Sequence, residues 1–350
     1  MYRKIMNFLE SWKESKHRKP LILQGARQVG KTYSILEFGR IHYENVAYFN
    51  FETNPKLNKT FEENISPDYL IPILSHIAGQ TIVKEKTLIV FDEVQLCERA
   101  LTSLKYFCES APDYHIIVAG SLLGVAVNRA KFSFPVGKVD MKTFYPMDIE
   151  EFMLALGEDD LVKQIKKCFH TNTPLPSALH DAAMQLYRQY LVVGGMPECV
   201  MQFTETKDYI LVRHTQDTIL ASYLNDMSKY NNLNEIKKTR LVYDNITVQL
   251  SKRNTRFQYK LIKKGGRASE FENAIEWLCL SGIVSQIYKV EQIKKPLENY
   301  RDIDAFKIYV SDLGLLCAKK DLSANDILYM VEEINDFKGG MAENYVNVQL

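Results

Sequence analysis

From Leu21 to Phe38 the chain reads LILQGARQVGKTYSILEF: a short apolar run, a loop of small and polar residues, and a helical pattern after Thr32. Strand, loop and helix in that order leave few folds open, because Gly25, Gly30, Lys31 and Thr32 satisfy G-x-x-x-x-G-K-[ST]. The glycines let the backbone turn until successive N–H groups point inward, and the helix that follows adds the partial positive charge of its N-terminus. The run Gly25, Ala26, Arg27, Gln28, Val29, Gly30, Lys31, Thr32 and Tyr33 is therefore a candidate nucleotide-phosphate cradle. Lys31 would reach the β- and γ-phosphates, and the Thr32 hydroxyl would ligate Mg²⁺. The alternative is a glycine-rich turn between strand and helix, and the context counts against it.

Such a cradle needs an acidic residue at the end of a buried neighbouring strand. TLIVFDEVQ, Thr87 to Gln95, supplies one: four apolar residues read as a fully buried strand, and Asp92 falls at its C-terminal end. There it would share the Mg²⁺ coordination shell. Glu93 is placed beside it to orient and deprotonate an attacking water, which favours ATP hydrolysis over nucleotide storage. A further apolar run ends at Ser121, a candidate sensor of the γ-phosphate; a Gly-Ser turn or a helix cap is the bland alternative. With Val46 to Glu52 and Gly137 to Pro146, five strands alternate with helical stretches, which predicts a parallel α/β sheet with its crevice at the strands' carboxyl ends.

A chain of 350 residues exceeds what one hydrophobic core usually supports, so two or three domains are expected. The N-terminal segment spaces Ile5, Phe8, Leu9 and Trp12 as an amphipathic helix does, with charges between them, and so does not read as a signal peptide. No window holds the apolar run of a membrane span, so no membrane partner is expected. Six cysteines lie far apart without C-x-x-C spacing, which points to a reducing cytoplasm and away from structural zinc.

Net charge is only +1, but it is segregated: residues 229–307 hold 16 Lys plus Arg against 9 Asp plus Glu. Lys252, Arg253, Arg256, Lys260, Lys263, Lys264 and Arg267 fall within one stretch that lacks any acidic residue. Two helices near 234–251 and 269–281 followed by two strands describe a winged helix-turn-helix, with residues 294–304 as the wing. Those seven cations are candidates for the phosphates of duplex DNA. Glu270, Glu272 and Glu276 on the second helix work against a DNA-facing surface, so docking within the chain or onto a protein partner stays open.

Taken together, LILQGARQVGKT, FDEVQ, AGSLLG, SFPVGKV, YPMDIEEF, YLVVGGMPE and YVSDLGLL resemble, in order and spacing, a large group of prokaryotic AAA-type ATPases. Members carry a C-terminal domain of unknown function related to the PD-(D/E)xK nuclease fold. The resemblance implies Gly25, Gly30, Lys31 and Thr32 as Walker A, Asp92 and Glu93 as Walker B, and Ser121 as the sensor position. It also implies a truncated nuclease-like part, since Phe337 to Leu350 resembles only its opening helix; Glu343 is the matching acidic residue, and no nuclease activity is expected. Where relatives often have an arginine, Lys138 keeps the charge without the planar fork. No arginine finger is identified, with Arg129 and Arg99 as the candidates. Arg188 on a helical lid is read as part of a surface ion pair, with nucleotide sensing as the alternative.

The expected architecture is an AAA-type P-loop core over residues 1–160, a helical lid and linker over 161–228, a winged-helix-like α+β domain over 229–318, and the start of the nuclease-like domain over 319–350. The expected function is cytoplasmic, Mg²⁺-dependent ATP hydrolysis coupled to the winged-helix region. An ATP-gated protein-interaction switch with slow hydrolysis and a small-molecule P-loop kinase are the rivals.

Overall fold

The computed structural model describes residues 1–125, 134–229, 232–252, 254 and 256–350. The chain divides into two compact units, Arg3–Tyr145 and Pro146–Leu350, the latter including Met1–Tyr2.

In the first unit, strands β1 (Leu21–Gln24), β2 (Asn45–Asn50), β3 (Thr87–Asp92), β4 (His115–Gly120) and β5 (Asp140–Thr143) form one sheet in the order β2-β3-β4-β1-β5. Every neighbouring pair is parallel, as the alternation of strands and helices predicts. β3 and β4 are buried at every position, which is why they read as continuous apolar runs. Phe91 on β3 meets Phe49, Phe51 and Phe61 with ring centroids 5.6–6.0 Å apart. Each such buried ring contributes about 1.5–3 kcal/mol by its removal from water. Because all five strands run the same way, their carboxyl ends share one edge. The helix Ile5–Glu14 buries Leu9 and Trp12, two of the four residues its spacing singled out.

The second unit begins before residue 160. Helix Ile149–Ala155 packs on helices Asp159–Thr171, Ser177–Val193 and Pro197–Thr206. It opens with a reciprocal cap in which the Glu151 N–H donates to Asp148 Oδ1 at 2.8 Å. Ser177–Val193 stops at Gly194, whose φ of 75° is left-handed. There the carboxylate of Asp312, 2% exposed, accepts from the Gly195 N–H at 2.6 Å and the Leu315 N–H at 2.8 Å.

Further on, helices Leu233–Ser251, Tyr259–Ile262 and Ala268–Leu280 lead into the antiparallel pair β6 (Val284–Val290) and β7 (Arg301–Val310). The Phe257 N–H donates to the Phe306 carbonyl at 2.7 Å, tying the turn between the first two helices to β7. The last helix, Asn335–Gln349, is fixed to β7 by the buried Asn344, which accepts from Val310 N–H at 2.8 Å and donates to its carbonyl at 2.9 Å.

Candidate nucleotide site

The loop between β1 and helix Lys31–His42 is held by its neighbours as well as by its own glycines. Gly25 has φ of 151°, and a Cβ there would lie 2.2 Å from the Phe144 carbonyl oxygen, so glycine is required on both counts. Arg3, buried beneath the loop, donates to the carbonyls of Val29 at 2.9 Å and Tyr145 at 2.7 Å and lies over the Phe144 ring. Gln28 and Gly30 also have positive φ, and Gly30 caps the helix that begins at Lys31.

Lys31 is 7% exposed, and its Nζ donates to the carbonyls of Gly25 at 2.9 Å and Ala26 at 2.7 Å. Burial pushes it down to about 8, against the upward pull of Glu93 and Asp92. The ammonium form is the one that attracts phosphate. ATP affinity of the free protein is therefore expected to hold up to about pH 8 and to fall as pH rises through it. Folding stability should move oppositely: the unfolded chain binds the extra proton between about 8 and 10.5, so stability rises over that window. Equilibrium binding and denaturation followed across the same pH series check both signs; affinity that stays flat through the window would remove Lys31 from the phosphates.

Across the sheet edge, Thr32 Oγ1 donates to Asp92 Oδ2 at 2.9 Å, bringing together the two residues expected to flank a metal. A third group that the sequence reading missed joins them: the Tyr48 hydroxyl, from β2, donates to the same Asp92 oxygen at 2.7 Å. Burial pushes Tyr48 up to about 12, so it stays a donor at neutral pH. Alternation along an edge strand hides such a residue, because nothing marks which tyrosine reaches a neighbouring strand's end. Glu93, with φ of 52°, turns the chain away from β3; its N–H donates to Asp92 Oδ1 at 3.0 Å and its carboxylate accepts from the Gln95 side-chain amide. Ser121 follows β4, which lies between β3 and β1, and is 7% exposed. Tyr33 is 64% exposed at the start of the helix.

Of the arginine-finger candidates, Arg99 donates to the Phe61 carbonyl at 2.6 Å, and Arg129 lies outside the described residues. Lys138 pairs with Glu109 at 3.0 Å. In the second unit Arg188 is exposed, and so are Lys252, Arg256, Lys260, Lys263, Lys264 and Arg267, gathered on the turns around the short helix Tyr259–Ile262. Arg253 lies outside the described residues. Lys263 pairs with Glu270 at 3.0 Å. Helix Ala268–Leu280 buries Phe271, Ala274, Ile275, Trp277 and Leu278 and leaves Glu272, Asn273 and Glu276 outward. Lys252 and Arg256 also line a cavity of about 470 Å³, faced by Lys307, Asp336 and Glu343. Glu343 accepts from Lys307 Nζ at 2.7 Å and the Tyr309 hydroxyl at 3.2 Å.

The parallel sheet, the phosphate-type loop and the acidic strand end together give the first unit the layout of a P-loop nucleotide-binding domain. Residues 17–153 match the family model described as an AAA domain, and residues 184–326 match a domain of unknown function, DUF8612. Among solved structures, a Walker-type ATPase of Pyrococcus abyssi aligns over 91% of this chain and 95% of its own at 14% identity and a TM-score of 0.55. The ORC2 protein of Aeropyrum pernix aligns over 94% and 95% at 11% identity and a TM-score of 0.43. The former supports the fold. No curated protein matches the chain in sequence. Among the described residues, no helix is long and apolar enough to cross a membrane.

Proposed function

We propose that the protein is a Mg²⁺-dependent ATPase whose second unit contains a winged-helix-like module responsive to the nucleotide. The observation that carries this reading is the 2.9 Å contact of Thr32 with Asp92, beside the buried Lys31 and with Glu93 next in the chain. The Thr32 hydroxyl and Asp92 carboxylate are the hard oxygen ligands that Mg²⁺ takes together with waters and phosphate. When bound, Mg²⁺ would supply charge neutralisation between the β- and γ-phosphates. The loop N–H groups from Gly25 to Thr32 hold the phosphates, and Lys31 leaves its carbonyl partners for the γ-phosphate. Glu93 takes a proton from the attacking water, and Ser121 orients the γ-phosphate at the strand tip. A P-loop kinase would not need Glu93, which is why hydrolysis is preferred. Equilibrium ATP binding tests the cradle: Lys31→Ala should weaken it by at least about 10²-fold, and unchanged affinity would refute the assignment.

For the second unit we propose a helical lid over 161–228 and a winged-helix-like region over 229–318. Support comes from three helices followed by a hairpin, with the Phe257–Phe306 backbone bond joining the first turn to it. The exposed cations on the turns fit sequence-independent contacts to duplex DNA phosphates. Glu272 and Glu276, outward on the adjoining helix, favour a protein partner as the second reading. Salt separates them. Under the DNA reading, ATP turnover is stimulated by duplex DNA, stimulation fades with salt, and Lys252→Ala with Arg256→Ala lowers the salt slope of binding by roughly 2. No stimulation at low salt favours the protein partner. Glu343, engaged by Lys307 and Tyr309, is given no catalytic part. The reading places the protein in the cytoplasm of a prokaryote.

A further inference from the structure

The chain after Asp92 does something that the motif it belongs to does not call for. Glu93 adopts a left-handed conformation and opens the short turn Val94–Leu96, which carries Gln95 back over the Glu93 side chain. One end of the Gln95 amide is then occupied: Nε2 donates to Glu93 Oε2. The other end is not: among the described residues, Gln95 Oε1 is buried without a hydrogen-bond partner. That oxygen lies against the last residue of β4, where a Cβ on Gly120 would come within 2.0 Å of it and within 3.1 Å of Gln95 Cδ. Gly120 lacks the positive φ that marks the backbone-driven glycines of this chain. Its want of a side chain is explained by the room that Gln95 takes.

A buried amide oxygen without a partner leaves its desolvation uncompensated, so a side chain held that way needs a reason. A glutamine free to choose would turn its oxygen to water. Here the amide is clamped between two parts of the proposed catalytic edge, the Glu93 carboxylate on one side and the tip of β4, just before Ser121, on the other. We propose that Gln95 is a positioning residue: it fixes the Glu93 carboxylate in the orientation for water activation and ties that orientation to the tip of β4, with Gly120 as the space that admits it. The inference rests on the ATPase reading and deepens it, because it names what holds the base rather than the base itself. Gln95 touches neither nucleotide nor water in this account; it acts through Glu93.

Two properties follow. Loss of the amide should lower kcat and leave ATP binding alone, since the phosphate loop lies on other residues. Filling the space at Gly120 should have the same consequence by displacing Gln95, so the two changes should not add.

The test is steady-state ATP hydrolysis and equilibrium MgATP binding for the wild-type chain, Glu93→Gln, Gln95→Leu, Gly120→Ala and the Gln95→Leu/Gly120→Ala double variant, each with its melting temperature. Gln95→Leu keeps the bulk and removes the amide. It should lose at least about tenfold in kcat with binding within about twofold of wild type, and the double variant should be no slower than the slower single one. Should Gly120→Ala fail to fold, Gln95→Leu with Gln95→Ser, which leaves the space open, carries the comparison; both should show the kcat loss with binding retained. Turnover lost in Glu93→Gln but kept in Gln95→Leu overturns this inference and leaves the ATPase reading standing. Turnover kept in Glu93→Gln overturns this inference and moves the role of base to another group, whereas no turnover by the wild-type chain overturns both the inference and the ATPase reading. Additive losses at 95 and 120, or a loss expressed in binding, would make Gln95 a packing residue.

Discussion

Glu93→Gln is expected to bind MgATP within about twofold of the wild type and to hydrolyse it at least about 10²-fold more slowly. The substitution preserves shape: the backbone N–H that donates to Asp92 Oδ1 stays, and the new side-chain carbonyl can still accept from Gln95. What it removes is a group able to take a proton from water. Lys31, Thr32 and Asp92, which carry binding in this account, are untouched. Filter binding and phosphate release on the same preparation separate the two effects, and a variant that turned over normally would transfer the role of base to another group.

The second large effect is on stability and lies far from the nucleotide loop in sequence. Asp312→Ala is expected to destabilise the second unit by about 3–5 kcal/mol. Its buried carboxylate accepts from the backbone N–H groups of Gly195 and Leu315. It thus closes the turn after helix Ser177–Val193 and caps helix Leu313–Lys319 at once. Its neighbours leave no slack: a Cβ on Gly194 would meet Asp312 Oδ1 at 2.3 Å, and one on Gly314 would meet the Val193 carbonyl at 2.4 Å. Alanine would strand those N–H groups away from water. Asp312→Asn should be little better, because its NH₂ would face donors. With two compact units, denaturation should be followed by a probe in the second, such as Trp277 fluorescence. A loss under about 1 kcal/mol would mean that packing, not the carboxylate, holds the turn.

Much of the first unit was legible because its signals are local. Glycine spacing in GARQVGKT and the apolar run ending in Asp92 each describe one strand and its exit, and parallel pairing follows from the intervening helices. What escaped notice depends on which strand lies beside which. Tyr48 reaches Asp92 only because β2 and β3 are neighbours, and Arg3 braces the phosphate loop from a different part of the chain. Gln95 escaped for another reason: its meaning lies in a turn conformation and in the absence of a side chain at Gly120. Which core helix Ile149–Ala155 packs on is not written in its own pattern, because amphipathic helices look alike whichever core they join.

The most direct measurement of the central claim is steady-state phosphate release from ATP by this chain in Mg²⁺, repeated with the divalent cation chelated. Turnover should require the metal and disappear in Thr32→Ala and Asp92→Asn, the two residues that meet at 2.9 Å. Turnover that survives chelation, or that survives loss of both side chains, would contradict it.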